Sequence, residues 1–501
     1  MAGVAFRDVR LSLRDLAGQA YTTAVCEARA VLTGEDAGQL LSQGGRPVEF
    51  YPAALHSRLL SLLPQVGTAV CRSITSAQGS PSDAFAKAAA AKYAPVSGLG
   101  WYRIAEDGRL YLTTKCEHYH ASVGHSFPGY QLLEIARGLG IPNATHNNTR
   151  GHLTRLLEER LSEEAGGGYR VLNLETGSLA MEAAVKALLA RFYRVQEESA
   201  PPKYAGRTPV FLVIGNDDGG LHANYHGTTV LTQILRGMWP ELTQAFQQLG
   251  LYDVRAIRPN SVEDLERAFA KYERPPYKLA GFLHEVVMMN YGARLLTREF
   301  LTRAYELCAQ HDVPTVADEI QSCLWAPQFF LFRELGLRPS CTAVGKGFPG
   351  GEYPASRLLF DASLDDLPLF GALVTNGQEE IASLAYLITM AWAKANREVT
   401  RAIGDRYEAR LKELAAAYSD LIADLPGQRH LCGIAFHDLA AARAFVAALN
   451  EGGLDVSVQT YKADCPPVVL TKLPLIADDT VVDFIIARMQ GALEALRSEG
   501  R

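Results

Sequence analysis

The chain has 501 residues, of which 48% are hydrophobic and 21% charged, and its formal net charge is −6. These values are typical of globular proteins, and the length suits two or three substructures, one of them large. No block of lysine and arginine is long enough to indicate nucleic acid as a partner, and no apolar run is long enough to span a bilayer.

Eight cysteines are scattered singly, without a CxxC pair or a Cys/His ladder. This spacing argues against a structural zinc site, and we expect no bound metal. Several cysteines lie in apolar, strand-like runs, which is typical of reduced thiols in a reducing compartment. The first 18 residues alternate charged and apolar side chains, unlike a secretory signal. We therefore expect a cytoplasmic protein.

In chain order, the region before residue 95 mixes short helical patterns with Gly/Pro breaks, and the alanine-rich stretch 84–94 predicts a helix. A glycine-rich break at 164–168 then opens a region where β-branched runs alternate with helices. The predicted strands are 169–174, 209–215, 279–287, 313–320, 341–347 and 355–360.

A helix is predicted from Ser178 to about Glu197, because Val185, Leu188, Leu189, Phe192 and Val195 form an apolar stripe. Continuous apolar strands separated by helices indicate a largely parallel sheet covered on both faces. Long helices follow residues 377–380, and an α+β segment begins near Arg429. The C-terminal part is therefore predicted to be a smaller domain.

Ligands of such sheets gather at the carboxyl ends of the strands. After the first strand, Gly177 permits close backbone approach and a helix is predicted to begin at Ser178. The free N–H groups of a helix N-terminus, together with the Ser178 hydroxyl, could bind a phosphate. An ordinary N-cap is the alternative.

Two further strand ends carry candidate residues. Tyr225, beside His226 and after the irregular loop 217–222, could stack on a planar heteroaromatic ring, or could be a core tyrosine in a turn. Asp318 closes the apolar run 313–317, and a buried carboxylate needs a partner. A protonated ring nitrogen would be such a partner; a helix N-cap or a buried salt bridge is the alternative.

Lys346 ends another predicted strand, between Gly345 and Gly347. Glycines leave room for a bulky group on the amine, and apolar surroundings lower a lysine pKa and favour the nucleophilic form. A phosphate-binding lysine is the competing interpretation, but the spacing GxxxxGK[ST] is absent.

Read together, these segments resemble the class III (ornithine/acetylornithine-type) aminotransferases, from about Tyr102 to the C-terminus. Five elements that occur in the family's order carry the resemblance: DGRLYL (107–112) with GHSFP (124–128), TGS (176–178) with EAAVK (182–186), YHG (225–227), DEIQ (318–321), and GKG with GG and YP (345–354).

The resemblance implies an α/β fold, the fold type I of enzymes that depend on pyridoxal 5′-phosphate (PLP). Its large domain has a mostly parallel, seven-stranded-type sheet between helices, and a smaller α+β domain lies at the C-terminus. We expect an N-terminal extension and arm at 1–100, a large PLP-binding domain at 101–375 with an opening segment at 101–165, and an interdomain helix and small domain at 376–501.

The resemblance also assigns roles around the cofactor ring. Lys346 would carry PLP as a Schiff base and move the substrate's proton. Asp318 would pair with the pyridinium nitrogen. Gln321 would reach the ring's 3-oxygen, and Tyr225 would stack on the ring face. Lys346 and Asp318 are the expected catalytic residues.

On the phosphate side, the resemblance places the N–H groups of Gly177 and Ser178 around the phosphate. Thr375 would reach the phosphate of the neighbouring subunit, which implies a homodimer with shared active sites. Glu285 matches a family glutamate on the substrate side.

Departures from the family pattern lie on the substrate side. Val286 replaces a proline after Glu285, and residues 376–378 read Asn-Gly-Gln where the family has Gly-Asn-Pro. The C-terminal segment 470–475 lacks the arginine that often binds a carboxylate; Lys472 is near that position but not aligned with it. We infer a working PLP site with an atypical substrate.

The expected activity is transfer of an amino group between an amine or amino acid and a keto acid, so the expected partners are a small-molecule donor and acceptor. Three alternatives remain at this stage. One is a PLP-dependent racemase, epimerase, aminomutase or decarboxylase on the same fold. The others are a non-catalytic relative and an α/β enzyme with a nucleotide cofactor.

Overall fold

The structure is a computed structural model that describes residues 5–84, 93–143, 149–216, 222–460 and 465–499. Most of the predicted helix at 84–94 and most of the predicted loop at 217–222 lie outside these residues. Among the helices described, none combines the length and apolar character needed to cross a bilayer.

A mostly parallel sheet forms the centre of the molecule. Its strands in chain order are β1 Tyr169–Leu174, β2 Thr208–Asn216, β3 His222–Ala223, β4 Asp253–Ile257, β5 Tyr277–His284, β6 Thr315–Asp318, β7 Cys341–Val344 and β8 Ser356–Asp361. The spatial order is β1-β8-β7-β6-β5-β2, and β2 also pairs with β4 and with the short β3. Strands β7, β6, β5, β2 and β4 are parallel, whereas β8 is antiparallel to both of its neighbours.

Both faces of this sheet are buried, as its continuous apolar strands predict. Along β2, Val210, Leu212 and Ile214 belong to one hydrophobic core, while Phe211 and Val213 belong to another on the opposite face. Side chains of a strand alternate between faces, so each face needs its own layer of helices. The predicted α/β architecture is confirmed.

The six predicted strands are all present, with ends that differ from the predicted ones by at most three residues. The predicted strand 279–287 is divided into β5 and the short strand Val287–Met288, and β7 ends at Val344, so Lys346 lies in the loop beyond it. Strand β4 was not predicted.

The helix predicted to reach Glu197 spans only Gly177–Leu189. Beyond it the chain turns, since the Arg191 carbonyl accepts a hydrogen bond from the Tyr204 N–H (2.8 Å). The Phe192 ring packs on the Tyr204 ring, with centroids 5.5 Å apart. Phe192 is thus a core residue in the turn after the helix. In the sequence it has the spacing of the helix's apolar stripe, although it lies outside the helix.

The other helices surround the sheet or build the ends of the chain. They are Leu13–Ala17, Gln19–Thr33, Ala37–Gly44, Ala53–Ser61, Cys116–Tyr119, Gln131–Gly138, His152–Ala165, Val230–Leu235, Pro240–Gln248, Val262–Tyr272, Arg298–Gln310, Leu331–Glu334, Glu380–Ala395, Arg397–Ala417, Leu439–Glu451 and Asp479–Glu499, with 3₁₀ turns at Leu63–Gln65, Pro128–Tyr130, Met289–Tyr291 and Ala362–Leu364.

The C-terminal part contains an antiparallel sheet of Ile422–Asp424, Gly427–Gln428, Leu431–Phe436, Val458–Gln459 and Val468–Thr471. Two-stranded pairs are formed by Arg10–Leu11 with Val48–Glu49 and by Val287–Met288 with Arg294–Leu295. The predicted domain boundaries at residues 100 and 375 remain a prediction.

A further sheet joins distant parts of the chain. Pro95–Leu99, Tyr102–Ala105 and Leu110–Thr113 are antiparallel neighbours, and Leu110–Thr113 pairs in parallel with Leu454–Asp455 near the C-terminus. The opening segment is therefore joined to the C-terminal part by backbone hydrogen bonds between strands.

Candidate active site

A cavity of about 850 Å³ lies at the carboxyl ends of the parallel strands and the amino end of the antiparallel β8. Six of the predicted site residues line it: Gly177, Ser178, Tyr225, Asp318, Gln321 and Lys346. Glu285 and Thr375 do not line it. Parallel strands thus bring together side chains that lie far apart in the sequence.

Lys346 follows β7 in a left-handed backbone conformation with a φ of 36°. A Cβ atom at Gly345 would collide with the Ser356 side chain, and one at Gly347 would collide with the Trp325 ring. Glycine is therefore needed at both positions so that the Ser356 and Trp325 side chains can pack against the backbone beside Lys346.

The electrostatic environment of the Lys346 amine combines burial with nearby acids. Burial lowers the pKa of Lys346, and the charges of Glu285 and Asp318 oppose that shift. A lowered lysine pKa increases the fraction of neutral amine, which is the form that attacks a carbonyl and accepts a proton.

Asp318 is held at both carboxylate oxygens. Its Oδ2 lies 2.9 Å from Nδ1 of His226, and its Oδ1 accepts the Ile320 N–H at 3.1 Å. No helix begins at Asp318, so the N-cap alternative does not apply. The carboxylate lines the cavity while an imidazole holds it from behind, and this arrangement suits a ligand cation in front of it.

Glu285 lies behind the cavity, 2% exposed. Its Oε1 accepts from Asn224 Nδ2 at 2.6 Å and its Oε2 from Gln321 Nε2 at 3.3 Å. Burial, and next the charge of Asp318, raise the pKa of Glu285 well above its ordinary value. The structure therefore places Glu285 against Gln321, behind the residues that line the cavity, and its role on the substrate side remains a prediction.

The start of the helix Gly177–Leu189 forms another wall. Thr176, not Ser178, is the N-cap, because its hydroxyl accepts the Leu179 N–H at 3.3 Å. The Ser178 hydroxyl instead accepts the Thr228 N–H at 3.0 Å. Because the N–H groups of a first helical turn lack partners within their own helix, this wall can bind an anion.

Tyr225 is half-buried on the cavity wall. Burial raises the pKa of its hydroxyl, and a hydrogen bond with Ser178 opposes the shift. The guanidinium carbon of Arg236 lies 5.5 Å from the Tyr225 ring centroid. Tyr225 therefore connects the helix start to a cationic side chain.

His226, Glu285 and Asp318 have potential metal-ligand atoms within 4.8 Å of one another. However, both oxygens of Glu285 accept amide hydrogens, and His226 and Asp318 are bonded to each other. We interpret the group as a hydrogen-bonded network, because His226 Nδ1, Asp318 Oδ2 and both oxygens of Glu285 already have protein partners.

Thr375 is exposed and does not line the cavity. It follows a segment in which Leu369 and Phe370 are 57% and 75% exposed. This placement differs from that of the other candidate residues, all of which are gathered around the sheet ends.

Some residues near the site were not among the predicted site residues. Arg236 lines the cavity, and its only signal is a charge at the end of the helical pattern 230–235. Lys472 is fully buried, with its Nζ donating to the carbonyls of Gln321 and Tyr119. Burial lowers its pKa to about 7.

Comparison with known proteins identifies the family. Residues 86–493 match the sequence model of the class-III aminotransferases, which is most of the chain. The chain belongs to this family. The class-III assignment agrees with the motifs in the sequence, and enzymes of this family depend on PLP.

This class-III aminotransferase is similar to an acetylornithine aminotransferase of Thermosynechococcus vestitus, with 26% identity over 80% of the chain and 92% of the relative. It is also similar to an ornithine aminotransferase of Halalkalibacterium halodurans (26%; 73% of this chain, 86% of the relative) and a 5-aminovalerate aminotransferase of Pseudomonas putida (25%; 71% and 87%).

Solved structures show the same fold. An ornithine aminotransferase from Toxoplasma gondii superimposes with a TM-score of 0.67 at 21% identity, covering 82% of this chain and 92% of that one. A transaminase from a marine Virgibacillus superimposes with a TM-score of 0.69 at 17% identity, covering 85% and 98%.

The residues of the cavity fit PLP, which has a flat ring with a cationic nitrogen, a phenolic oxygen and a phosphate. Asp318 offers a carboxylate for the nitrogen. Gln321 Oε1 and His226 Nε2 are buried without a hydrogen-bond partner among the described residues. The helix start at Gly177 offers N–H groups for the phosphate, and Lys346 offers an amine.

Proposed function

We propose that this class-III aminotransferase moves an amino group from an amine or amino acid to a keto acid in the cavity around Lys346. The observation that carries the proposal is that the Lys346 amine and the Asp318 carboxylate line one cavity with the helix start at Gly177. When bound, PLP supplies an electron sink for the carbon next to the substrate nitrogen.

Lys346 is the proposed attachment point and proton carrier. Its lowered pKa leaves more of the Nζ amine unprotonated near neutral pH, so it can take a proton from a substrate carbon and return it. Asp318 would accept a hydrogen bond from the ring nitrogen and hold its positive charge, with His226 fixing the carboxylate's orientation. Tyr225 would pack on the ring.

Gln321 is the proposed donor to the ring's 3-oxygen, and Glu285 supports that role. Because burial raises the pKa of Glu285 well above its ordinary value, the protonated carboxyl, which can donate a hydrogen bond, is favoured over the carboxylate. If the Gln321 amide is turned by 180°, its oxygen accepts that proton. The amide nitrogen then takes the buried position without a protein partner and can donate to a ligand oxygen.

The experiment is reduction of the PLP-loaded enzyme with borohydride, followed by peptide mapping of the irreversibly attached cofactor. We expect the label on Lys346, and no label in Lys346→Ala. Lys394→Ala is the matched control, since its side chain is 60% exposed and far from the cavity. Retention of the label in Lys346→Ala would overturn the proposed attachment.

Transamination is then tested with an amino donor alone. The expected result is conversion of the cofactor to its amine form, one equivalent per site, with release of the donor's carbonyl product, which is a keto acid from an α-amino acid and an aldehyde from a terminal amine. A racemised donor or released carbon dioxide without that conversion would show that the chain runs a different PLP reaction.

We also propose a homodimer in which Thr375 of one subunit binds the phosphate in the other. The exposed position of Thr375, outside its own cavity and next to the exposed apolar Leu369 and Phe370, supports this arrangement. Light scattering should give twice the chain mass. Mixing Lys346→Ala with Thr375→Asp should restore activity that neither variant has alone, because one site of the mixed dimer is intact.

A cytoplasmic location is proposed as well. All eight cysteines lie among the described residues and none forms a disulfide, although Cys71 is exposed. Free thiols persist in a reducing compartment. Cell fractionation tests this: recovery of the protein in a secreted or membrane fraction would contradict it.

A further inference from the structure

The cavity has few cationic side chains. Among the lysines and arginines of the described residues, only Lys346 and Arg236 line it, whereas Glu175 and Asp318 contribute carboxylates. Lys346 is committed to the cofactor in the proposed function. Arg236 is therefore the remaining strong cation for a ligand that carries an oxyanion.

Arg236 is well placed for such a ligand. It follows the helix Val230–Leu235 and is half-buried, with its guanidinium over the Tyr225 ring. Within the part of the chain that the structure describes, no carboxylate forms a salt bridge with it. A guanidinium stacked on an aromatic ring keeps its N–H donors free at the edge, where a carboxylate or phosphate can bind in a bidentate way.

Other cations near the site are already bound to protein atoms. Lys472 is fully buried and its Nζ lies 3.6 Å from the Trp325 ring centroid and 3.3 Å from the Tyr119 carbonyl oxygen. It does not line the cavity. Within the described segment 470–475, no cation therefore faces the cavity, and Arg236 lies on a different element.

The wall that carries Arg236 is continuous with the start of the helix Gly177–Leu189. The Tyr225 hydroxyl is hydrogen-bonded to Ser178, and the Ser178 hydroxyl accepts the Thr228 N–H. The guanidinium and the positive end of the helix thus act on the same side of the cavity, and their fields add.

We propose that Arg236 is the oxyanion receptor of this cavity, and that it binds either the cofactor's phosphate or the carboxylate of the amino or keto acid substrate. The proposal rests on the proposed function and deepens it, since it names the ligand chemistry of one wall. The relatives named for ornithine and 5-aminovalerate act on molecules with a carboxylate, which agrees with this chemistry.

The phosphate arm of the test compares PLP with pyridoxal, which lacks the phosphate. Dissociation constants are measured by equilibrium dialysis for the wild type, Arg236→Met and Arg236→Lys. If Arg236 binds the phosphate, Arg236→Met weakens PLP binding roughly 10- to 100-fold and leaves pyridoxal binding unchanged. Arg236→Lys should retain part of the preference, because it keeps the charge but loses the planar fork.

The substrate arm uses pentanoate and its neutral amide, pentanamide, as probes, with binding to the PLP-loaded enzyme measured by calorimetry. If Arg236 binds the substrate's carboxylate, Arg236→Met loses the preference for pentanoate while its affinity for PLP is unchanged. Arg443→Met is the matched control, because Arg443 is exposed on the helix Leu439–Glu451, outside the cavity.

The proposal is wrong if Arg236→Met has the wild-type preference for PLP over pyridoxal and the wild-type preference for pentanoate over pentanamide. Loss of either preference in Arg443→Met as well would also overturn it. The preference would then depend on the net charge of the protein and not on a contact with Arg236. Failure of the proposed function has a different signature: the wild type itself would form no reducible link between PLP and Lys346.

Discussion

The Nδ1 atom of His226 lies 2.9 Å from Oδ2 of Asp318, and the two side chains are 0% and 7% exposed. The imidazole donates to the carboxylate from the protein side, so the other side of the carboxylate is available to the cavity. Orientation of a charged group by a buried partner of this kind commonly affects activity without contact to the ligand.

The pair gives a graded prediction. Asp318→Asn removes the charge that faces the ring nitrogen, and we expect kcat/KM to fall roughly 100- to 1000-fold. His226→Asn leaves the charge of Asp318 in place but removes the imidazole that orients the carboxylate, and we expect kcat/KM to fall about 10- to 100-fold. His437→Asn, at an exposed position, should be unaffected. Equal losses in the two site variants would contradict the division of roles.

Glu285 should make stability fall as the pH rises. Its pKa is raised by burial above the ordinary 4.5, so the folded protein binds the proton more tightly than the unfolded chain. This stabilisation is complete below pH 4.5 and is lost as the pH rises through the folded-state pKa.

Glu285→Gln imitates the protonated carboxyl and should remove that decline. The check is urea unfolding of both proteins at a series of pH values from 4.5 upward. A Glu285→Gln curve parallel to that of the wild type would show that the carboxyl does not titrate in this way.

Lys472 should make the free energy of unfolding rise with pH, which is opposite to the effect of Glu285, and it should do so at higher pH. Its pKa is lowered from 10.5 to about 7 by burial, so between these values the unfolded chain binds the proton that the folded protein lacks. The free energy of unfolding should therefore rise with pH across this interval.

In Lys472→Met this rise should be smaller, although the variant is less stable overall because two buried carbonyls lose their donor. Lys394→Met, with an exposed side chain, should keep the wild-type slope. The slope is the decisive quantity, since a purely structural loss would shift the curve without flattening it.

Glu380 should stabilise the N-terminus of a helix that is far from it in the sequence but in contact with it in the fold. Its carboxylate accepts the N–H groups of Leu153 (2.9 Å) and Thr154 (3.0 Å), the first turn of the helix His152–Ala165. Glu380→Ala leaves both buried donors unpaired, and we expect the free energy of unfolding to fall by about 2–5 kcal/mol.

The control for that variant is Glu163→Ala in the same helix, where the side chain is 63% exposed. We expect a change within about 0.5 kcal/mol. Thermal or denaturant unfolding compares the two, and a loss of similar size in both would mean that the distant cap has no special effect.

The sequence predicted the elements whose patterns are continuous. Strands β2, β5, β6, β7 and β8 are buried on both faces, and their apolar runs are visible for that reason. Strand β1 lies at an edge and is only partly buried, but its β-branched and leucine residues were still enough to predict it. Strand β4 was missed because it is a short edge strand in which Asp253 and Arg255 interrupt the apolar run. The helix end at Leu189 was missed because Phe192 continues the stripe from a turn.

The site was predictable where a residue type at a strand end is itself unusual, as with Lys346 between glycines. Contacts across the sheet were not predictable from one sequence. Gln321 meets Glu285, and His226 meets Asp318, only because parallel strands place their carboxyl ends side by side. The full burial of Lys472 is a tertiary property as well, since nothing in its local sequence distinguishes it from an exposed lysine.

The sheet that joins Leu110–Thr113 to Leu454–Asp455 has a consequence for ligand entry. Thr114 Oγ1 donates to the Asp455 carbonyl at 2.7 Å, and Leu475 N–H donates to the Ser122 carbonyl at 2.8 Å. His120 lies between Thr114 and Ser122 in the sequence, and it lines the cavity. The position of His120 therefore depends on these contacts with the C-terminal part, and we expect substitutions along them to change the rates of ligand binding and release.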